Sequence, residues 1–418
     1  MTPQLVVTDD DVNEQILVQC WMFEARGGDR AGARALAERT LERLLARGLP
    51  SGRGPAGGLL LDPYAANNAL KSRAGEPADA SFAAWQATTR RNATSLPPEP
   101  HAYRFTLRRE WHAFAGAPGR PLIFRLPLPL RGAQRGKASV RLVEPAGGLV
   151  DERESSGRLE LRVDPAAVRG PVVAELEVRL VGAELRDPGA ASAALGAPPA
   201  KEDEPWLRDR EGLVQQSPAV AALAEELARG QATARDFVHR AWDWLISTLR
   251  FGDVHRGALD PADPLGSVVR LGWADCVLGS SLLVALCRAR GIPARLLTGF
   301  LLHPANVGPH SWAEVNLGGG AWVPFDFGSW VYCAGDPRDP VFGRYFRGRV
   351  DARFVAEVAP REFTGWGSAV PPERWYRLER LRGDRIEHTL FALDGGALLR
   401  RDLIGLELLG RDDGTGPG

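Results

Sequence analysis

The segment Val277–Cys287 is apolar apart from one glycine and two serines, and it limits the possible folds more than any other part of the chain. Its leucines recur at helical spacing, and Gly291 followed by Pro293 ends the pattern. Residues 279–281 are small, as the close packing of a buried helix requires. At 11 residues the segment is too short to cross a bilayer. We therefore predict a helix buried inside a folded core.

A cysteine directly precedes this helix, in the sequence Trp273-Ala274-Asp275-Cys276. The positive end of the helix dipole would lie at Cys276 and favour its thiolate form. The alternative is a buried structural cysteine, which is the usual role of an arbitrary cysteine. Cys287 lies within the apolar stripe and fits that alternative better. Cys276 is thus a candidate nucleophile, which needs a base and a group that orients the base.

Both partners are found on one predicted β-hairpin, which turns at residues 318–320. This register places Asp326 opposite Trp312 and one diagonal step from His310, roughly 7–8 Å away between backbones. The carboxylate could then fix the imidazole tautomer while the other ring nitrogen faces the thiol. Taken singly, His310 could be a surface strand residue and Asp326 a turn former. Together with Cys276 they favour a catalytic triad.

Composition excludes several classes of function. Lys plus Arg and Asp plus Glu both total 52 in 418 residues, which argues against a nucleic-acid binder that relies on bulk positive charge. Four cysteines without a CxxC pair predict neither a disulfide framework nor a structural zinc site. The acidic start of the chain does not resemble a secretory signal. We expect a cytoplasmic protein without a membrane partner, and an Arg- and Ala-rich composition typical of a GC-rich bacterial genome.

Period-two alternation between residues 101 and 184 predicts short strands, and helical signals return at Ser217-Pro218 and Thr233–Asp236. The predicted division of the chain is as follows: a mainly helical region at 1–98, a β-sandwich domain at 101–186, a linker at 187–211, a catalytic core at 212–345, a C-terminal extension packing on the core at 346–411, and a disordered tail at 412–418.

Four blocks in the core resemble the transglutaminase-like superfamily, whose members are papain-like cysteine enzymes. They are Asp275-Cys276, the run from Leu286 to Phe300, His310–Val315 and Trp322–Asp326, preceded by the similar helix Ala241–Leu245. The resemblance implies an α+β fold in which the helix bearing the cysteine packs on an antiparallel sheet, with a β-sandwich domain before it. It also implies that Cys276 is the nucleophile, His310 the general base and acid, and Asp326 the orienting carboxylate.

The substrate site is less constrained. Trp244, Trp273 and Trp312 are candidates to line a cleft. The backbone N–H of Cys276 is a candidate oxyanion-hole donor, and the second donor could be Trp242, Trp244 or Trp273.

The expected activity is hydrolysis of a peptide or amide bond through a thioacyl-enzyme, with no cofactor and no metal. One alternative is an amide-forming acyltransferase, of transglutaminase type or in small-molecule biosynthesis. Another is a non-catalytic binding or scaffold protein. The expected partner is a peptide, a protein or a small acyl or amide substrate, and the oligomeric state is left open.

Overall fold

A computed structural model describes residues 100–114, 119–130, 138–155, 158–189, 191–252, 254, 259–260, 262–302, 307–328, 346–359, 375–382, 385–392 and 398–411, and a few positions between 42 and 61. Most of the predicted helical region 1–98 and the whole of the predicted tail 412–418 lie outside the described residues, as do Cys20 and Cys333.

The elements are numbered here in chain order. The first strands are β1 (Ser51–Arg53), β2 (Leu59–Leu61), β3 (His101–Trp111), β4 (Leu122–Pro127), β5 (Ala138–Glu144), β6 (Leu149–Ser155), β7 (Arg158–Val163), β8 (Val172–Gly182) and β9 (Leu185–Arg186). The middle of the chain contains β10 (Arg210–Glu211), β11 (Val214–Gln215), α1 (Pro218–Ala228), α2 (Ala234–Thr248), β12 (Arg250–Phe251), α3 (Pro264–Leu271), β13 (Trp273–Ala274) and α4 (Cys276–Arg288). The remaining strands are β14 (Ala294–Leu301), β15 (Pro309–Asn316), β16 (Trp322–Phe325), β17 (Arg349–Val350), β18 (Arg353–Ala359), β19 (Trp375–Arg382), β20 (Arg385–Ala392) and β21 (Leu398–Arg411).

The alternating segments form two antiparallel sheets, as period-two patterns with one apolar face do. One sheet has six strands in the order β19-β20-β21-β3-β8-β5, and the other has three in the order β4-β7-β6. Tyr103, Phe105 and Leu107 of β3 are buried, and so are Leu161 and Val163 of β7. These side chains belong to one hydrophobic cluster, so the two sheets share a core.

Strand pairing joins the C-terminal part of the chain to strands that lie far earlier in the sequence. β21 pairs with β3 along the whole length of β3, from Arg411 opposite His101 to Arg400 opposite Trp111. β18 pairs with β14, and β17 pairs with β9. Alternation shows which face of a strand is buried but does not identify its partner, so this long-range pairing could not be predicted.

The helices begin where their capping residues predict. Ser217 accepts a hydrogen bond from Val220 N–H ahead of α1, and Thr233 accepts one from Asp236 N–H ahead of α2. α4 is buried from Leu278 to Arg288, which confirms the predicted core helix. None of the described helices combines the length and the apolar composition that a bilayer span needs.

Helix α4 packs on a four-stranded antiparallel sheet with the order β16-β15-β14-β18. The predicted α+β core, in which a helix bearing the cysteine covers an antiparallel sheet, is therefore confirmed. The predicted linker also contacts this sheet. Asn316 donates a hydrogen bond to Asp203 at 2.9 Å, and the ring of Trp206 lies 5.8 Å from that of Trp322 in an edge-to-face arrangement.

Candidate active site

Cys276 is the first residue of α4, and its backbone is held by the helix cap. Asp275 accepts a hydrogen bond of 2.8 Å from Leu278 N–H, which fixes the turn into the helix. The N–H of Cys276 belongs to the first helical turn, where no preceding turn supplies an acceptor. As a whole residue Cys276 is half-buried. Cys287 is fully buried, and burial raises the pKa of its thiol far above the ordinary range.

The hairpin register agrees with the prediction. Ala313 lies opposite Phe325, which puts Asp326 opposite Trp312 at the end of β16. Nε2 of His310 is 2.8 Å and 2.9 Å from the two carboxylate oxygens of Asp326. Both residues are buried, and Asp326 is completely inaccessible. Cys276 and His310 are also hydrogen-bonded through their side chains. Because Asp326 occupies Nε2, the nitrogen that remains for the thiol is Nδ1.

The charges around His310 favour its protonated form. Burial on its own would lower the pKa of the imidazole. The charges of Asp326 and Cys276, and the hydrogen bonds to both, outweigh this effect and raise the pKa of His310 to about 9. A protonated imidazole would carry its positive charge directly beside the side chain of Cys276.

Two glycines give the triad its close packing. A Cβ atom at Gly279, one turn into α4, would lie 2.2 Å from the ring of Phe327. A Cβ at Gly328 would lie 2.6 Å from Cε1 of His310 and 2.9 Å from Cβ of Cys276. The segment that carries Asp326 therefore lies directly against the start of α4 because these two positions have no side chain.

Sequence reasoning missed Arg353, the first residue of β18. Its Nη1 is 2.8 Å from Oδ2 of Asp326, and neither side chain is exposed. The guanidinium also pairs with the carboxylate of Asp351. Arg353 is one of many arginines in this chain, and no motif distinguishes it. In the sequence, Arg353 is distinguished only by an acidic residue, Asp351, two positions earlier. Opposite charges at this spacing are common in strands and do not indicate a buried ion pair.

The three predicted cleft tryptophans are not equivalent. Trp312 is fully buried, with its ring 6.5 Å from that of His310 and nearly parallel to it. The prediction that it lines a cleft is therefore wrong, because a side chain without accessible surface cannot contact substrate. Trp244 and Trp273 are half-buried against the core, and their role in a cleft stays a prediction. The oxyanion candidate Trp242 is fully buried, with its ring 5.8 Å from that of Phe325.

Residues 221–327, from α1 to the residue after Asp326, match the family model described as the transglutaminase-like superfamily. This segment is therefore a transglutaminase-like domain, as the sequence blocks indicated. No curated protein matches the chain.

Three solved structures are similar to larger parts of the chain. A candidate cysteine protease from Cytophaga hutchinsonii is 14% identical, with a TM-score of 0.47 over 74% of this chain and 91% of that one. The periplasmic domain of TgpA from Pseudomonas aeruginosa is 16% identical, with a TM-score of 0.29 over 59% and 93%. A candidate protease from Parabacteroides distasonis is 12% identical, with a TM-score of 0.22 over 72% and 70%. These scores are low, so the family assignment depends on the sequence match.

Proposed function

We propose that the chain is a cysteine-dependent enzyme that hydrolyses a peptide or amide bond through a thioacyl intermediate. One observation carries this proposal. The thiol of Cys276, at the start of a buried helix, is hydrogen-bonded to an imidazole whose Nε2 is held by the buried carboxylate of Asp326. A nucleophile, a base and an orienting group in this relation are the components of acyl transfer.

In the first half-reaction the thiolate of Cys276 attacks the substrate carbonyl, and the electron pair of the C=O bond moves onto oxygen. In this proposal the N–H of Cys276 donates to that oxyanion, as N–H groups at helix N-termini do. The tetrahedral intermediate collapses when the C–N bond breaks. His310 donates its proton to the leaving amine and becomes neutral, and the acyl group remains on sulfur.

In the second half-reaction neutral His310 takes a proton from water, and the resulting hydroxide attacks the thioacyl carbon. The C–S bond then breaks, which releases a carboxylic acid and restores the thiolate beside a protonated imidazole. Water is the proposed acceptor because Cys276 is only half-buried, so the residue is not sealed inside the core. An enzyme that transfers to an amine must also exclude water from its intermediate.

Thiol labelling separates this proposal from a non-catalytic scaffold. At pH 6–7 we expect iodoacetamide to modify Cys276 far faster than any other cysteine, with the modified site identified by peptide mass spectrometry. The substitution His310→Ala should slow labelling of Cys276 by about 10²-fold or more, because the thiolate loses its proton acceptor. Slow and equal labelling of all four cysteines would contradict an enzymatic role.

The reaction itself can be tested by intact-mass analysis with a mixed library of peptide amides and acyl thioesters. We expect a covalent acyl adduct on the wild-type protein that is absent from Cys276→Ala and that decays to free acid. Addition of a primary amine then tests the acceptor. If the free acid is released at an unchanged rate, hydrolysis is supported. If most of the acyl group is instead captured as an amide, the reaction is acyl transfer to an amine and the proposal of hydrolysis is wrong.

A further inference from the structure

We propose that Arg353 is a positioning residue for the triad: it holds the carboxylate of Asp326, and through it the ring of His310, from outside the matched domain. This inference depends on the proposed function, since it assigns Arg353 a role in the same site. Arg353 lies beyond residues 221–327 and belongs to β18, on the side of the sheet away from the β15–β16 hairpin.

The contacts of Arg353 leave its side chain little freedom. Nη1 is 2.8 Å from Oδ2 of Asp326, and Nη2 is bound to the carboxylate of Asp351. Nε donates to the carbonyl of Asp351 at 3.3 Å, and the guanidinium carbon lies 5.4 Å from the ring centre of Trp312. The side chain has no accessible surface. A planar cation fixed on four sides can define the orientation of the carboxylate that it touches.

The backbone of β18 is shaped to bring Arg353 to this place. The pairing with β14 shifts register between Thr298 and Gly299, so that Thr298 lies opposite Glu357 and Gly299 opposite Val355. Such a bulge changes the direction of the side chains that follow it. A Cβ at Gly299 would lie 1.8 Å from the carbonyl oxygen of Phe354, so only glycine permits this approach.

Charge explains why Asp326 needs a second partner. Four buried residues, Asp351, Arg353, Asp326 and His310, form a row that ends at the half-buried Cys276. Negative and positive groups alternate along this row when the thiolate and imidazolium are formed. A buried carboxylate that loses a cationic partner is costly and tends to take up a proton. A protonated Asp326 would no longer stabilise the imidazolium, and the thiolate would lose its counter-ion.

The test is the pH dependence of iodoacetamide labelling at Cys276 in the full chain. We expect Arg353→Met to move the rise in labelling to higher pH. At pH 6 the labelling rate of Cys276 would then fall roughly tenfold, which is the change expected when the rise in labelling moves up by one pH unit. Arg353→Lys keeps the positive charge but has only one nitrogen to contact both Asp326 and Asp351. The rise in labelling should therefore move to higher pH by less than in Arg353→Met. A folded Arg353→Met variant with the wild-type profile would overturn the inference.

Arg288→Met is the matched control. Arg288 is also buried and paired with a carboxylate, at 2.8 Å from Glu211, but it lies at the other end of α4, about 18 Å from Cys276. We expect this variant to lose stability and to keep the wild-type labelling profile, and an equal shift in both variants would contradict a specific role for Arg353.

Two further outcomes are informative. If Arg353→Met does not fold, the same measurement is made on Arg353→Lys. A wild-type pH dependence of Cys276 labelling in that variant would also overturn the inference. Wild-type Cys276 that reacts no faster than Cys287 would instead contradict the proposed function itself.

Discussion

At the scale of single residues, the geometry of the site depends on glycines as well as on the side chains that meet there. Cys276, His310 and Asp326 can only meet if helix α4 and the end of β16 approach closely, and Gly328 lies between His310 and Cys276 at this approach. Its position has no positive φ, so an alanine there would be disfavoured by the lack of space and not by its backbone conformation.

We predict that Gly328→Ala lowers the labelling rate of Cys276 at pH 7 by at least about tenfold while the protein stays folded. The added methyl group would have to displace His310 or Cys276 by several tenths of an ångström, which is enough to break their hydrogen bond. Gly170→Ala is the control, because a Cβ at that position meets no atom within 4 Å. Wild-type labelling in Gly328→Ala would show that the triad tolerates this displacement.

The sequence was sufficient to predict that Cys276, His310 and Asp326 lie together, because a hairpin register and a helix start are local properties. It was not sufficient for Arg353. A charged residue in a strand is usually exposed, and its burial here depends on the pairing of β18 with β14, which the pattern of neither strand contains. Trp312 was misplaced for a related reason: proximity to the triad in sequence does not tell whether a side chain lies in the cleft or behind it.

At the scale of elements, the six-stranded sheet is held together at its centre by an ion pair between β3 and β21. Arg109 lies directly opposite Asp402, and its Nε and Nη2 are 2.7 Å and 2.8 Å from the two carboxylate oxygens. Burial would raise the pKa of Asp402. The charges of Arg109, Arg400 and His388 and the hydrogen bond from Arg109 outweigh this, and they lower the pKa to about 2.

This shift predicts a stability that depends on pH. Because the pKa of Asp402 is lower in the folded than in the unfolded chain, its contribution is fully present above about pH 4 and is lost as the pH falls towards 2. We expect Asp402→Asn to reduce the free energy of unfolding by roughly 2 kcal/mol at pH 7, measured by urea denaturation, and by much less near pH 2. Equal losses at both pH values would contradict this assignment.

Glu407→Gln is the control for this pair. Glu407 is also in β21 and is bound to Arg104 of β3 at 2.6 Å, but more than half of its side chain is exposed. An exposed ion pair contributes about 0–1 kcal/mol, so this variant should unfold near the wild-type urea concentration.

At the scale of the whole molecule, the shared core of the two β-sheets continues into the four-stranded sheet β16-β15-β14-β18. The ring of Phe105 in β3 lies 4.9 Å from those of both Phe300 in β14 and Phe354 in β18. Phe354 directly follows Arg353. The strand that carries Arg353 is therefore packed on its other side against the six-stranded sheet, and in our proposal this sheet supports the candidate site.

We predict that Phe105→Ala both destabilises the protein, by about 3–5 kcal/mol, and slows labelling of Cys276 under conditions where the protein is folded. The cavity would release Phe354 and with it the start of β18. Phe124→Ala is the control, since Phe124 packs against Trp111 and Phe114 in the same core. It should cost similar stability and leave labelling unchanged. Equal labelling rates of Cys276 in both variants would show that the packing of Phe105 does not affect the position of Arg353.

The predicted fold was most accurate where the chain is local. The helix bearing the cysteine and the β15–β16 hairpin were confirmed, and so were the caps Ser217 and Thr233 of α1 and α2. The division of the chain, with a C-terminal extension at 346–411 packing on the core, stays a prediction. The partner of β21 is β3, which lies far away in the chain. Pairing at such a distance depends on which sheet edge is open in the folded protein, a property of the whole molecule.

The pairing of β21 with β3 also dictates the order of events during protein synthesis. Arg109 and Asp402 are 293 residues apart, so β3 leaves the ribosome long before its neighbour exists. During that time one edge of β3 is open to pairing with other chains, and the closing step is long-range and slow. Arg353 is likewise translated after Cys276, His310 and Asp326. We therefore expect nascent chains to carry an unactivated thiol, and prematurely terminated chains to aggregate before they can react.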